Sequence, residues 1–221
     1  MEKNLEKEKA INSKKPIIIG IIAAVVIVAT IVLIIVLRNR DKLSATTMRL
    51  LRIKGTVTMT ENGKEKKIIE NIKIRSGNIL TTAENSLASI GLDDSKLVTL
   101  EEESQAKFNQ SGKKLKLNLK TGRLFFEVKE KLKKDEDFSI STSTMVVGIR
   151  GTSGYVIADN EGQDKVLITD GEVKVTGYNK KTGQKKYTVV RAGEMVSVYL
   201  YDDPDNSVDF KKIVITEDNV P

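Results

Sequence analysis

Two hydropathy patterns divide this chain. From Ile17 to Leu37 the residues are apolar on every face, with no charge in 21 positions and only Gly20 and Thr30 as interruptions. At 1.5 Å per residue such a helix spans about 31 Å, the thickness of a bilayer's hydrocarbon core. Sixteen of the 21 are Ile, Val or Leu. Their β-branched content would suit a strand in water, but lipid leaves backbone groups no partner except one another, so a helix is expected. The stretch is longer than the apolar part of a signal peptide, about 7–15 residues. It is also more uniformly apolar than a buried core helix. The predicted transmembrane helix covers 16–38, after a short charged tail at 1–15.

After Leu43 the period changes to two. Apolar and polar residues alternate in Val57–Met59, Leu115–Leu119, Val173–Val175 and Val196–Val198, which reads as half-buried strands. Turn signals separate them: Glu61-Asn62-Gly63, Gln110-Ser111-Gly112, Asn160-Glu161-Gly162 and Lys181-Thr182-Gly183. Asn62-Gly63 predicts a hairpin turn. The best helix candidate outside the membrane is Val128–Asp137, which reads equally as a charged loop. A short pattern recurs at Gly55, Gly77, Gly122, Gly171 and Gly193, each glycine opening an alternating apolar run, at spacings of 22, 45, 49 and 22 residues. A glycine that tolerates positive φ can make the corner that starts each strand. The spacing fits irregular coils, so the expected fold is all-β, either an irregular β-roll resembling a solenoid or a β-sandwich, preceded by one transmembrane helix. Lys113, Lys114, Lys116 and Lys120 are expected to protect an open sheet edge.

Composition narrows the chemistry. With no Cys and no His, the chain lacks disulfides, thiolate nucleophiles, the commonest general base and the commonest metal ligand. The net charge of +7 is not spread evenly. Residues 1–15 carry five Lys against three Glu, and 38–42 carry two Arg and one Lys against one Asp. The excess flanks the apolar helix, where lipid headgroups favour it, and does not suggest a nucleic-acid partner. Flanking charges nearly balance across the helix. A single anchor with a short N-terminal tail is expected to keep that tail in the cytoplasm, placing the β domain outside it. The dense acidic runs, Asp93-Asp94 and Glu101-Glu102-Glu103, read as solvated turns, because strand neighbours point to opposite faces. Glu101 and Glu103 share a face, which admits at most a weak Ca²⁺ site. No catalytic residue, cofactor or metal is expected, and no enzyme.

Ile140–Thr152 reads ISTSTMVVGIRGT and is followed by Ser153-Gly154-Tyr155-Val156. This resembles the central fingerprint of the FecR domain family, approximately V-x-T-P-x-A-x-x-G-V-R-G-T. Thr142, Gly148, Arg150, Gly151 and Thr152 fall at matching positions, and Ser143 replaces the usual Pro. Further blocks agree in order: Gly77-Asn-Ile-Leu with Ser86–Leu92, Asp93–Leu100, Leu119–Leu124, Ile168–Val173 and Val190–Glu194. The resemblance covers 48–200 and leaves 201–221 as a C-terminal extension with one strand-like run at Ile213–Ile215. In the fingerprint, Gly151 would permit backbone crowding at a corner, the Thr152 hydroxyl would cap a turn, and Arg150 would bridge neighbouring coils. The fingerprint is thus read mainly as fold-determining.

The family's well-known members are transmembrane regulators. Their cytoplasmic tail binds a sigma factor and their outer domain receives a signal. The 15-residue tail here is too short for a helical sigma-binding bundle, and nothing after Leu200 resembles a small α/β receptor-contacting domain. Two functions follow as expectations. The first is a membrane-anchored, non-catalytic interaction or scaffold module of the bacterial envelope, whose partner is another envelope protein or a cell-wall polymer. The second is a signal-transducing regulator. The sequence sets neither the oligomeric state nor the signal.

Overall fold

The computed structural model describes residues 28–30, 48–159, 163–203 and 205–216. The chain divides into two units, Met1–Ser44 and Ala45–Pro221. Of the first, Val28–Thr30 are described and are helical. The rest of the predicted span from Ile17 to Leu37 lies outside the described residues, among which no helix is long and apolar enough to cross a membrane. The Asn160-Glu161-Gly162 turn also lies outside them.

The second unit is all-β. Its strands are β1 (Arg49–Lys54), β2 (Val57–Glu61), β3 (Lys64–Lys67), β4 (Ile79–Thr82), β5 (Leu87–Gly91), β6 (Lys96–Leu100), β7 (Gln105–Ser111) and β8 (Lys114–Val128). They continue as β9 (Asp137–Ser141), β10 (Met145–Ile149), β11 (Ser153–Ala158), β12 (Lys165–Asp170), β13 (Glu172–Tyr178), β14 (Lys185–Arg191), β15 (Glu194–Leu200) and β16 (Val208–Val214). Pairing sorts them into two sheets that share β8. One sheet runs β1-β5-β6-β8-β11-β12-β15-β16. The other runs β3-β2-β4-β7-β8-β9-β10-β13-β14. Among the described strands, only β8 and β9 pair in parallel. From β9 onward, each hairpin belongs to the sheet opposite the one before it. The roll and the sandwich expected from sequence are therefore combined: two sheets, wound by a chain that alternates between them.

The core follows from the alternation. Leu115, Leu117 and Leu119 point inward from the first half of β8; Leu124, Phe126 and Val128 point inward from its second half. Inward parity flips between them, at Gly122, whose φ is +88°. There β8 leaves one sheet and joins the other. Phe108, Phe126 and Phe138 are wholly buried in a single apolar cluster fed by both sheets. Each contributes about 2–3 kcal/mol of burial. All five glycines of the recurring pattern have positive φ, between +74° and +95°. Asn62 and Gly63, at φ +52° and +76°, make the turn between β2 and β3.

Two expectations change, and one open alternative resolves. Of Val128–Asp137, which reads equally as a helix or a charged loop, residues 129–136 form a loop between β8 and β9, pinned by Leu132, which enters the core. None of the four lysines guards an edge: Lys113 lies in the turn before β8 and pairs with Asp135, Lys114 and Lys116 lie where β8 pairs on both sides, and Lys120 is the extra residue at the bulge opposite β7. The charged edge strand is β3, Lys-Glu-Lys-Lys, exposed at every position. The extension at 201–221 supplies β16, which pairs along its length with β15.

Candidate functional site

Strand direction splits the fingerprint between the two ends of the roll. β10 runs five residues, about 17 Å, from the hairpin tip that carries Thr142 to the corner that carries Arg150, Gly151 and Thr152.

At the tip, the Thr142 Oγ1 accepts the N–H groups of Thr144 at 3.3 Å and Met145 at 3.2 Å. Behind it lies Asp164, wholly buried. Its Oδ2 accepts the Thr144 hydroxyl at 2.6 Å, the Thr144 N–H at 3.1 Å and the Ser143 hydroxyl at 3.2 Å. Its Oδ1 accepts the Asp159 N–H at 3.1 Å. Where the family has a rigid Pro, Ser143 supplies a hydrogen bond to this carboxylate instead. The next tip repeats the design: buried Asn179 donates to the Tyr201 and Ser207 carbonyls and accepts the Lys181 N–H at 2.9 Å. Asp164 escaped the sequence reading because it closes a run of turn-like residues. Its one local signal is an acid placed directly before an apolar strand.

At the opposite end the sheet-to-sheet connections stack. The first is the loop after Val128, the second Arg150–Thr152, the third Gly171, and the fourth Ala192–Gly193. They are bonded in two pairs: the Val128 N–H donates to the Thr152 carbonyl at 3.1 Å, joining the first to the second, and the Ala192 N–H to the Gly171 carbonyl at 2.9 Å, joining the third to the fourth. Gly151, at φ +114°, is the corner the sequence predicts, and a Cβ there would lie 3.0 Å from the Lys131 Cα. A Cβ on Gly171 would meet the Thr152 methyl at 2.6 Å. Over these corners opens a cleft of about 860 Å³ lined by Lys131, Arg150, Thr152, Glu172 and Arg191.

Two expected roles are not seen here. The Thr152 hydroxyl caps nothing: it is buried and has no hydrogen-bond partner among the described residues. Arg150 bridges no coils, for its side chain is exposed and makes no hydrogen bond or ion pair among the described residues. A buried hydroxyl left unpaired costs about 1–3 kcal/mol. Thr152→Val keeps the branched shape and removes that cost, so its melting temperature is expected to rise by a few degrees. A lower melting temperature than wild type in a calorimetric scan would show that the hydroxyl has a partner.

The acidic runs have separate fates. Asp93 pairs with Lys96, itself buried, and accepts the Ser95 N–H at 2.8 Å. Burial pushes the Asp93 carboxyl up, but the Lys96 ammonium and the Ser95 N–H and hydroxyl outweigh it and hold its pKa below the ordinary value. Glu101 faces Arg123 at 3.5 Å, and Glu102 accepts the Asn85 N–H at 2.8 Å. Glu103 sits in the turn at φ +51°. Glu101, Glu102 and Glu103 border one cleft together with Arg123, but among the described residues no cluster of acids is spaced to hold a metal ion.

The fold and site together define an all-β roll with alternating hairpins and a cleft built on its corners. Residues 78–174 match the family model described as FecR protein, so the chain carries a FecR domain there. That stretch contains the whole fingerprint and both ends of β10. The structure is similar to two crystal structures, at 1.65 Å and 2.50 Å, of a "putative anti-sigma factor" from Parabacteroides distasonis ATCC 8503. Each has a TM-score of 0.49 and 16% identity, over 62% of this chain and 59% of that one. No curated protein matches the chain.

Proposed function

We propose that this chain is a FecR-type signal-transducing regulator. Ile17–Leu37 anchors it in the membrane with residues 1–15 in the cytoplasm, and its β domain is a non-catalytic receiver outside that binds another protein. The FecR domain over 78–174 carries this reading. An exposed, unpaired Arg150 at a glycine-lined cleft agrees with a surface that binds rather than one that reacts. A purely scaffolding module has no specific observation in its favour.

The chain contains no cysteine, so one engineered thiol reports topology without background. Lys180 is exposed at a hairpin tip. In intact cells, Lys180→Cys is expected to react with a membrane-impermeant maleimide as readily as after lysis. Reaction only after lysis would overturn the orientation. Deleting residues 1–15 is expected to change the same set of transcripts as deleting the whole gene. An unchanged transcript profile in both strains would overturn the regulator reading and leave the scaffold.

A further inference from the structure

The cleft over the corners does not end at Arg150. The same residue borders a second cleft of about 350 Å³, on the outer face of the sheet that contains β10. Its floor is Gly148, with Lys174 on one side and the loop 132–137 on the other. Gly148 is not required by its backbone: its φ is not positive, and a Cβ there would come no nearer than 3.9 Å to the Lys174 carbonyl oxygen. Its effect is to leave the sheet bare between Ser139 and Lys174, its two cross-strand neighbours.

The charge around this bare strip is unbalanced. Of the carboxylates lining the two clefts, Glu136 is turned toward Lys96 at 3.8 Å and Glu172 toward Arg191 at 3.4 Å. Asp137 stands opposite Lys114 in register. Arg150, Lys131, Lys134 and Lys174 have no carboxylate within ion-pair distance among the described residues. Lys174 instead rests over the Tyr187 ring, 4.2 Å from its centroid. One row further along the same face, Val146 and Tyr187 flank Thr176 in register. They are 42% and 68% exposed, two of seven large apolar side chains left exposed among the described residues.

We propose that the two clefts form one groove that binds an extended acidic and apolar segment of a partner protein. This rests on the receiver reading above and names what the receiver holds. Arg150 is the carboxylate clamp, since a free guanidinium offers a planar pair of donors matched to a carboxylate. The segment's backbone passes over Gly148, where no side chain obstructs it. Its apolar side chains settle on Val146 and Tyr187. That contact separates a peptide from a phosphodiester polymer, which would use the cations and leave the apolar pair bare. Strand addition is not the mode, because β10 is already paired on both sides.

The test uses the full chain in phosphatidylcholine nanodiscs and a fluorescein-labelled peptide of alternating glutamate and leucine, read by anisotropy. Saturable binding is expected, weakening as salt is raised. Arg150→Gln and Lys174→Gln are each expected to weaken it about tenfold with unchanged melting temperatures. Gly148→Gln, which puts a side chain across the floor, is expected to do the same. If that variant melts early, the two charge variants decide alone. No binding to the wild type, or variants that bind as tightly as it does, overturns the groove. Inorganic polyphosphate binding more tightly than the peptide overturns the peptide assignment. Expression of Arg150→Gln in cells separates the two readings. Lost peptide binding with a normal transcript profile keeps the groove and defeats the receiver. An altered profile on deletion, with no peptide binding by the wild type, keeps the receiver and defeats the groove.

Discussion

Asp164→Ala is expected to destabilise the β domain by about 3 kcal/mol, roughly a 9 °C fall in melting temperature for a domain of this size. The carboxylate is wholly buried and takes four hydrogen bonds from three residues on two loops. Alanine leaves the buried Thr144 N–H with only its longer, 3.3 Å bond to the Thr142 hydroxyl, and takes the Asp164 acceptor from the half-buried Asp159 N–H. The hydroxyls of Ser143 and Thr144 can rotate toward other acceptors, but backbone N–H groups cannot. The loss also propagates: the Thr144 carbonyl accepts the Tyr178 N–H at 2.8 Å, and the Asp164 carbonyl accepts the Val198 N–H at 2.9 Å. Loosening one tip therefore loosens the next two hairpins. Asp164→Asn is expected to cost about half as much, because one oxygen still accepts from Thr144 while the amide meets the Asp159 N–H donor to donor. Denaturant titration of the full chain in micelles checks both. A loss below about 1 kcal/mol for the alanine variant would mean that the tip is held by something other than this carboxylate.

How far the sequence reveals this depends on whether the cause is local. Most turns that demand positive φ leave a glycine behind, so the corners at Gly55, Gly77, Gly122, Gly171 and Gly193 are readable one by one. Alternation reveals strands for the same reason, since each strand's burial is written in its own residues. Even the change of sheet within β8 is written there, as the shift from odd to even inward residues across Gly122. Pairing is a different matter. Whether Lys116 guards an edge or sits on a central strand depends on β9, which is brought beside β8 by a loop the alternation does not specify. Val208–Val214 looks weak as a strand because its alternation mixes Phe210 and Ile213 with charged residues, yet β15 gives it a full partner. Asp164 is invisible for a related reason, as its donors come mainly from a loop twenty residues earlier in the chain. In the fingerprint, Gly151 was legible as a corner. The isolation of Arg150 was not, because it depends on where Glu172 and Glu136 spend their charge.

Gly122 separates these causes by experiment. Gly122→Ala is expected to cost more than about 4 kcal/mol, among the largest effects a single methyl can have. Positive φ accounts for about 1–2 kcal/mol of that. The remainder is contact: a Cβ would lie 2.2 Å from the Ser104 Oγ and 2.5 Å from the Ser104 Cα. Ser104 cannot easily retreat. It is wholly buried, its hydroxyl accepts the Arg123 N–H at 2.9 Å, and its own N–H donates to Thr82 at 3.0 Å. Moving it would tear the turn at 101–104 from β4 at the point where β8 crosses between sheets. Gly63 provides the control, with φ +76° and nothing within 4 Å of its would-be Cβ. Gly63→Ala therefore carries the conformational strain without the clash, and about 1 kcal/mol is expected. Trimming Ser104 to Gly beside Gly122→Ala should recover only part of the loss, since the Ser104 Cα stays in the way. Equal destabilisation at Gly63 and Gly122 would show that the backbone angle alone fixes the corner. A gap of several kcal/mol would show that the two sheets are held in place by the close approach of Ser104 to a strand with no side chain to keep it off.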